Sequence, residues 1–385
     1  MKIAIDAFRV VCEPQTSGAV YVAELAAALS ESPQVQAIYL VVPSGHAPAT
    51  GLPRFASPKV QWLVAPSSSD PSKGYHRQLW WVQRSFPATV QAQAGPVDWL
   101  IAPYHQAPMR VPGSSRVLTV IHDLCGLRAD CGYRKLGRGY WRHWVNFLTA
   151  TVRTDAVIAI SEYTRDEFQR RFSSMQRLPT RVAYNAVTTQ PLSAAQAIDA
   201  TAHLPLPADF FLAYAAGGPR KGTDITLQSF AAYRNEGGKA QLVLIGGRSA
   251  AAEWRPLAER LKLTDVIWVS GISDLVRDAL YARASALLFP SRCEGFGYPI
   301  VEAMRQGCPV AADRNSPAAE IVGNAQPLMA SLSVDEVKSE MRALESLSPA
   351  QRAALAERLV AESNKFSGKG LASAYLSLMG APQPA

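Results

Sequence analysis

Short apolar runs alternate with longer amphipathic segments along almost all of this 385-residue chain. The runs read as buried strands and the segments between them as covering helices, a pattern that parallel sheets layered with helices satisfy and few other architectures do. In the first half, strands are expected near 2–6, 36–42, 60–64, 97–101, 116–121, 155–160 and 181–184, and helices near 18–30, 75–93, 133–150 and 162–173. In the second half, strands are expected near 210–215, 240–245, 265–269, 285–289 and 309–312, with helices near 222–236, 251–262, 274–283, 298–306 and 316–322. Residues 333–379 read as helices alone.

The length favours two domains over one core. Around 186–208 the strands give way to Pro191, Pro205, Pro207 and small polar residues, which suits an interdomain connection. The expected division is an N-terminal Rossmann-like domain over 1–190, a second over 208–365, and a C-terminal helix and tail over 366–385. A ligand at the carboxyl ends of the strands is the default for such sheets.

One stretch carries most of the chemistry. Residues 289–312 read F-P-S-R-C-E-G-F-G-Y-P-I-V-E-A-M-R-Q-G-C-P-V-A-A, a strand, a glycine loop, a short helix and a strand. Gly295 and Gly297 let the loop approach a ligand with bare backbone N–H groups, and Pro299 fits a first helical turn. The helix start would then face an anion such as a diphosphate. Glu294 and Glu302 are acceptor-only carboxylates that suit hydroxyls on either side of that anion. A nucleotide sugar has this layout, although an ordinary helix-start acid and a surface Glu would give the same letters.

The stretch resembles the retaining glycosyltransferases of family 4, through Pro290-Ser291, Glu294-Gly295-Phe296-Gly297, Pro299, Glu302-Ala303, Gly307, Pro309-Val310 and Glu320. The resemblance implies the GT-B fold: an α/β protein of two Rossmann-like domains facing across a cleft, with a C-terminal helix crossing back. It implies that Glu294 contacts the donor sugar, that Glu302 holds the ribose, and that the backbone at Phe296-Gly297 lies against sugar and phosphate. The F-F-L-A-Y-A-A-G-G-P-R-K-G-T stretch, 210–223, places Gly217, Arg220 and Lys221 after a strand and before a helix, a second anion site. It resembles the family's phosphate-binding element, with Lys221 aligned. Relatives carry an Arg where Ala215 stands, so Arg220 or another residue takes that role.

In the N-terminal half, His122 and Asp123 end an apolar strand, and the family's His-Asp pair lies near the reacting sugar or acceptor. A structural His held by a carboxylate is the alternative. Gly18 resembles the family's glycine loop under the diphosphate, with Ser17 where relatives often have a second glycine. Tyr104 and His105, at another strand end, are acceptor-side candidates, with plain burial as the alternative. Residues 128–144 interleave Arg134, Lys135, Arg138 and Arg142 with Tyr140, Trp141 and Trp144, and Trp80-Trp81 with Arg84 extend the set. Such a helix suits an anionic lipid surface or a pyrophosphate-bearing acceptor, or else faces its tryptophans inward.

A formal charge of +8 favours anionic partners. No nucleic-acid-binding signature accompanies it, so nucleic acid is not an expected partner. The five cysteines lack metal-ligand or disulfide spacing and read as reduced thiols. No run approaches the roughly 20 apolar residues of a membrane span. The expected place is the cytoplasm, or the inner face of the plasma membrane as a peripheral protein.

The resemblance implies a hexosyltransferase, and the E-G-F-G-Y-P, P-R-K and H-D-L elements most resemble bacterial mannosyltransferases, with polysaccharide or lipopolysaccharide biosynthesis as the expected setting. Such an enzyme would move a sugar from a nucleotide diphosphate sugar, GDP-mannose being favoured, to a lipid-linked or cell-surface saccharide. No D-x-D stands beside a glycine turn, so no metal and no other cofactor is expected in the chemistry. A nucleotide-sugar isomerase or hydrolase of the same fold, or a non-catalytic binding protein, are the alternatives.

Overall fold

The computed structural model describes residues 1–46, 55–66, 70–128 and 137–380. The chain forms two compact units, one built mainly from 1–127, 137–186 and 366–380, the other from 187–365.

In the first unit the described residues form a seven-stranded sheet: β1 (Lys2–Asp6), β2 (Ala37–Val42), β3 (Val60–Val64), β4 (Trp99–Ala102), β5 (Arg116–Ile121), β6 (Ala156–Ala159) and β7 (Thr180–Val182). All pairings are parallel and the order is β3-β2-β1-β4-β5-β6-β7. Both faces of such a sheet are covered, so β2, β4 and β6 are apolar and buried throughout. The order reverses between β1 and β4, and the loops after those two strands therefore lie side by side.

The C-terminal helix, Gly368–Met379, belongs to this unit. Its Tyr375 hydroxyl lies 2.5 Å from that of Tyr21 on the helix Ser17–Ser30, both rings being buried. Arg116 donates to the Met379 carbonyl at 2.9 Å and covers the Trp99 ring at 4.0 Å.

The second unit has a five-stranded parallel sheet: β8 (Phe210–Tyr214), β9 (Gln241–Ile245), β10 (Val266–Val269), β11 (Ala286–Phe289) and β12 (Val310–Ala312), in the order β10-β9-β8-β11-β12. Its reversal falls between β8 and β11. The core joins Phe211, Leu242, Leu244 and Leu288 to Phe230 and Tyr233 of the helix Thr223–Asn235.

Three local features depart from the sequence reading. A helix, Phe8–Cys12, occupies the start of what reads as a loop. The helical segment over 75–93 widens to π geometry at Trp81–Ser85, just ahead of Pro87, which has no N–H to give to an α ladder. The connection at 186–208 contains a helix, Ala194–Ala200, started by a reciprocal capping box between Ser193 and Gln196. The residue after that helix, Thr201, receives Arg283 at 2.7 Å, which fixes it to the second unit. Ser193→Ala should lower the thermal stability of that unit by about 1 kcal/mol, the usual worth of a lost N-cap. Urea melts followed by circular dichroism would measure it, and an unchanged midpoint would mean that the cap is idle.

Candidate functional site

The loops after β8 and β11 meet at the sheet reversal, where open α/β sheets build ligand sites. Several contacts join them. Arg292 N–H donates to the Arg220 carbonyl at 2.8 Å, and Ser291 Oγ donates to the same oxygen at 3.0 Å. The Arg292 guanidinium grips both oxygens of Asp224, at 2.8 and 2.7 Å, in the first turn of the helix Thr223–Asn235. Gly222 has φ +67°, and a Cβ there would come within 2.0 Å of the Pro290 carbonyl oxygen. Only glycine suits both the conformation and the gap.

At this junction Lys221 Nζ donates to Glu294 Oε1 at 2.6 Å, Ser291 Oγ donates to it at 2.6 Å, and Arg220 approaches at 3.4 Å. Lys221 and Glu294 are nearly buried, while Arg220 is more open. Lys221 also stands 4.9 Å from the centre of the Phe289 ring. Burial alone would raise the Glu294 pKa, but the charges of Lys221 and Arg220 outweigh it and hold the carboxyl below its usual range. Oε2 of Glu294 accepts no hydrogen bond from the described residues.

Glu302 lies on the helix Tyr298–Arg305, which begins at Gly297 with φ +109° and carries Pro299 in its first turn. It has a separate set of partners. Tyr281 Oη donates to Glu302 Oε2 at 3.0 Å and Arg277 Nε stands 3.5 Å away. Tyr281 in turn shares a 2.7 Å hydrogen bond with Tyr214. Burial pushes the Glu302 pKa up, and Arg277 offsets this only in part. Each glutamate thus has one oxygen held by protein and one without a described partner. Gly295 and Phe296, within this loop, are buried.

The glycine turn after β8 differs from the expectation of an open anion site. Gly218 N–H donates to Glu253 Oε1 at 2.9 Å, and a Cβ on Gly217 would meet Glu253 Oε2 at 3.1 Å. The turn already has its anion, a carboxylate of the helix Arg248–Arg260.

In the first unit, His122 at the end of β5 contacts the Pro103 carbonyl through Nε2 at 2.7 Å. A carbonyl only accepts, so Nε2 carries the proton and Nδ1 the lone pair. Asp123 caps the next turn through Cys125 N–H at 2.9 Å. His105, with φ +63°, stands 5.6 Å from His122, ring to ring, and its Nδ1 is buried without a partner. Tyr104 is buried, its hydroxyl unpartnered, with the Arg9 guanidinium 4.7 Å from its ring centre. Gly18 lies in the first turn of its helix, where a Cβ would press on Arg9 at 3.1 Å and Tyr104 at 3.2 Å. The sequence reading missed Asp6, which ends β1 and accepts from Trp81 Nε1 at 2.8 Å; burial raises its pKa to about 7. It also missed Arg277 and Tyr281, whose helix follows a strand that carries no motif.

Arg134 and Lys135 lie outside the described residues, and Arg138 only opens the helix Arg138–Arg153. That helix divides its aromatics: Trp144 packs 5.1 Å from Phe172, while Trp141, Val145, Leu148 and Val152 form an exposed stripe. Trp80 is exposed beneath Arg84, and Trp81 is buried. Cys12 and Cys308 are thiols, whereas Cys125 and Cys293 are disulfide-bonded, against the expectation that all are reduced. No helix among the described residues is long and apolar enough to cross a membrane.

Two parallel α/β units, one with a cation pair and two glutamates at its sheet reversal, define the GT-B class of fold. The chain belongs to glycosyltransferase family 4: residues 18–191 match "Glycosyltransferase Family 4" and residues 197–359 match "Glycosyl transferases group 1". It is 36% identical over 97 residues to the serotype-specific mannosyltransferase WbdA of Escherichia coli, across 24% of this chain and 12% of that protein. It is 35% identical over 106 residues to an MMP alpha-(1->4)-mannosyltransferase of Mycolicibacterium hassiacum, across 27% of this chain and 26% of that one. The match thus spans a minor part of either relative's length.

Among solved structures, WaaG, a glycosyltransferase involved in lipopolysaccharide biosynthesis, superposes with a TM-score of 0.72 at 16% identity, over 99% of this chain and 100% of that one. Sucrose-phosphate synthase from Thermosynechococcus elongatus gives 0.73 at 20%, over 98% of each. Anabaena HepE in complex with UDP and glucose gives 0.71 at 17%, over 99% of each. At these identities the likeness is one of fold.

The histidines of the first unit make a pH prediction. Burial first, then the neighbouring His143 for His105 and His105 for His122, lower both pKa values to about 3, so both are neutral at pH 7. The unfolded chain takes up these protons near pH 6.5 and the folded one does not. Their contribution to stability is therefore complete above about pH 6.5 and lost as the pH falls toward 3, by roughly 3 kcal/mol per imidazole at about pH 4.5. Denaturant melts across that range should show the decline, and His105→Gln should flatten it; an equal slope in the variant would contradict the assignment.

Proposed function

We propose that this protein is a retaining hexosyltransferase that moves a sugar from a nucleotide diphosphate sugar to a saccharide hydroxyl without a divalent metal. The observation that carries the reading is the Lys221–Glu294 contact at the reversal of the second sheet, with Glu302 one helix turn beyond the same loop. Lys221 spends one of its three N–H bonds on Glu294 and keeps two for a phosphate oxygen. Together with Arg220 and the start of the helix Tyr298–Arg305, it would stabilise the departing diphosphate. The open Oε2 of Glu294 suits a hydroxyl of the donor sugar, and the open oxygen of Glu302 suits the ribose.

The proposed route is front-side, with the acceptor oxygen bonding to the anomeric carbon on the face the diphosphate leaves. A β-phosphate oxygen takes the acceptor proton as the glycosidic bond to the leaving group breaks, and Glu294 orients the sugar without becoming a nucleophile. In the first unit, the neutral His122 offers Nδ1 as an acceptor for a sugar hydroxyl, with Asp123 fixing the turn behind it. His105 and Tyr104 would shape the acceptor side more by packing than by contact.

GDP-mannose is the proposed donor, supported by the mannosyltransferase relatives. A uridine nucleotide is the competitor, since HepE is solved with UDP and glucose. The proposed acceptor is a lipid-linked or growing cell-surface saccharide. Support comes from the stripe Trp141, Val145, Leu148 and Val152, exposed on a helix flanked by arginines, which suits the inner face of an anionic membrane.

Calorimetric titration with GDP, UDP, ADP and their sugar derivatives, after treatment with chelator, tests the donor reading. One diphosphate should bind tightly, and Lys221→Ala should weaken it by about 30–100-fold, the worth of a lost charged hydrogen bond. Glu294→Gln should keep the nucleotide and lose turnover. Absence of binding to all of them would refute the proposal. Separately, the protein should co-sediment with anionic vesicles and not with neutral ones, and Trp141→Ser with Leu148→Ser should abolish this; equal sedimentation of the double variant would remove the membrane from the account.

A further inference from the structure

Three loops of the first unit bring a thiol, an imidazole and a carboxylate together that the proposed sugar transfer does not use. Cys12 ends the helix after β1, His46 lies in the loop after β2, and Asp70 precedes the 3-10 turn Pro71–Lys73 in the loop after β3. The three strands are neighbours in the sheet, in the order β3-β2-β1, so their carboxyl-end loops are held next to one another by the ladder itself. One ligand atom from each residue lies within 4.8 Å of the other two. We propose that Cys12, His46 and Asp70 form a zinc-binding site that clips these three loops together.

The spacing of the histidine and the carboxylate is that of a ligand pair rather than of a hydrogen bond. His46 Nε2 stands 3.6 Å from Asp70 Oδ2. That is too long for a good hydrogen bond, but close to the edge of about 3.4 Å between nitrogen and oxygen ligands each some 2.1 Å from a tetrahedral zinc ion. The carboxylate is oriented from behind: Asp70 Oδ1 accepts from Ser72 N–H at 2.9 Å and from Ser72 Oγ at 2.6 Å, which leaves Oδ2 toward the histidine. Such a partner is what fixes a ligating carboxylate in place. Cys12 is not in a disulfide; burial and the neighbouring Asp70, with which its thiol hydrogen-bonds, push its pKa up to about 12, so the ion would have to displace that proton to reach the sulfur.

The donor set also selects the ion. Sulfur and imidazole disfavour magnesium and calcium, which take oxygen, and one of each with a carboxylate suits zinc. Binding would release the thiol proton to solvent and form the zinc–sulfur bond. A thiolate, a carboxylate and a neutral imidazole then balance the double positive charge, and water fills the fourth position. All three side chains are half-buried, which allows entry from solvent. The ion would act on folding and not on sugar transfer. It ties loops that sequence separates widely, and this inference stands independently of the donor reading.

Tag-free protein, stripped with chelator, should be titrated with cobalt and then with zinc. The expected result is one equivalent of cobalt, a thiolate-to-cobalt charge-transfer band, tetrahedral visible bands, and displacement of all of them by zinc. Cys12→Ser should remove the charge-transfer band. His46→Gln and Asp70→Asn should each weaken zinc by at least about 100-fold, since loss of even an outer partner costs roughly 10–100-fold. Ser72→Ala should cost about tenfold on the same scale, and Cys308→Ser should change nothing. Each variant is read with its circular dichroism, and the isosteric His46→Gln serves if Cys12→Ser does not fold. Failure of the wild-type protein to bind one equivalent, or a band that survives Cys12→Ser, would overturn the site. Nucleotide titrations on stripped protein report separately on the donor reading.

Discussion

The second unit is organised around one oxygen atom. Glu294 Oε1 receives Lys221, Ser291 and the edge of Arg220, and these residues come from two loops that sequence separates widely. A nearly buried carboxylate costs several kcal/mol in desolvation, which its partners must offset, and removing one partner from such a pair typically costs 3–5 kcal/mol. The contact is therefore less a source of stability than a constraint: the two loops stay in register because separating them would strand a charge. Gly222 makes the approach possible, since any side chain there would strike the Pro290 carbonyl.

The position of that junction follows from strand order. Connections leave β8 and β11 in opposite directions, so the edge between them is not crossed by a helix and lies open at its carboxyl end. The first unit repeats the device between β1 and β4, where Asp6, Arg9, Gly18, Tyr104 and His105 gather. The two edges have different electrostatics. One presents cations against carboxylates. The other surrounds neutral imidazoles and a carboxyl group whose burial raises its pKa, with Arg9 as the nearby cation.

The strands were legible because a strand buried on both faces must be a short apolar run, and β2 (A-I-Y-L-V-V) is one. The placement of Glu294, Lys221 and Arg220 on strand-end loops was legible because glycines and prolines mark those loops. Arg277 and Tyr281 were not, since their pairing with Glu302 depends on how a helix after β10 packs beside one after β11, and strand order is not written in any local pattern. The glycine turn at Gly217 could not reveal its neighbour: Gly218 N–H donates to Glu253, which a helix after the next strand supplies. The helix Ala194–Ala200 could have been found, because S-A-A-Q is a capping-box spelling that the nearby prolines obscured.

Charge balance connects the proposed chemistry with the proposed ion. At the second unit's junction, Lys221 and Arg220 exceed Glu294 by one positive charge before any ligand arrives. A diphosphate leaving group therefore meets fixed cations and a helix start, which can do the work that a divalent ion does where carboxylates alone surround the phosphates. The cluster at Cys12, His46 and Asp70 has the reverse balance. Its ligands are a thiol, a carboxylate and an imidazole, two of which can carry negative charge. A cation there would complete the protein rather than the substrate. On these two proposals, donor binding would survive chelation while the loops after the first three strands would lose their clip.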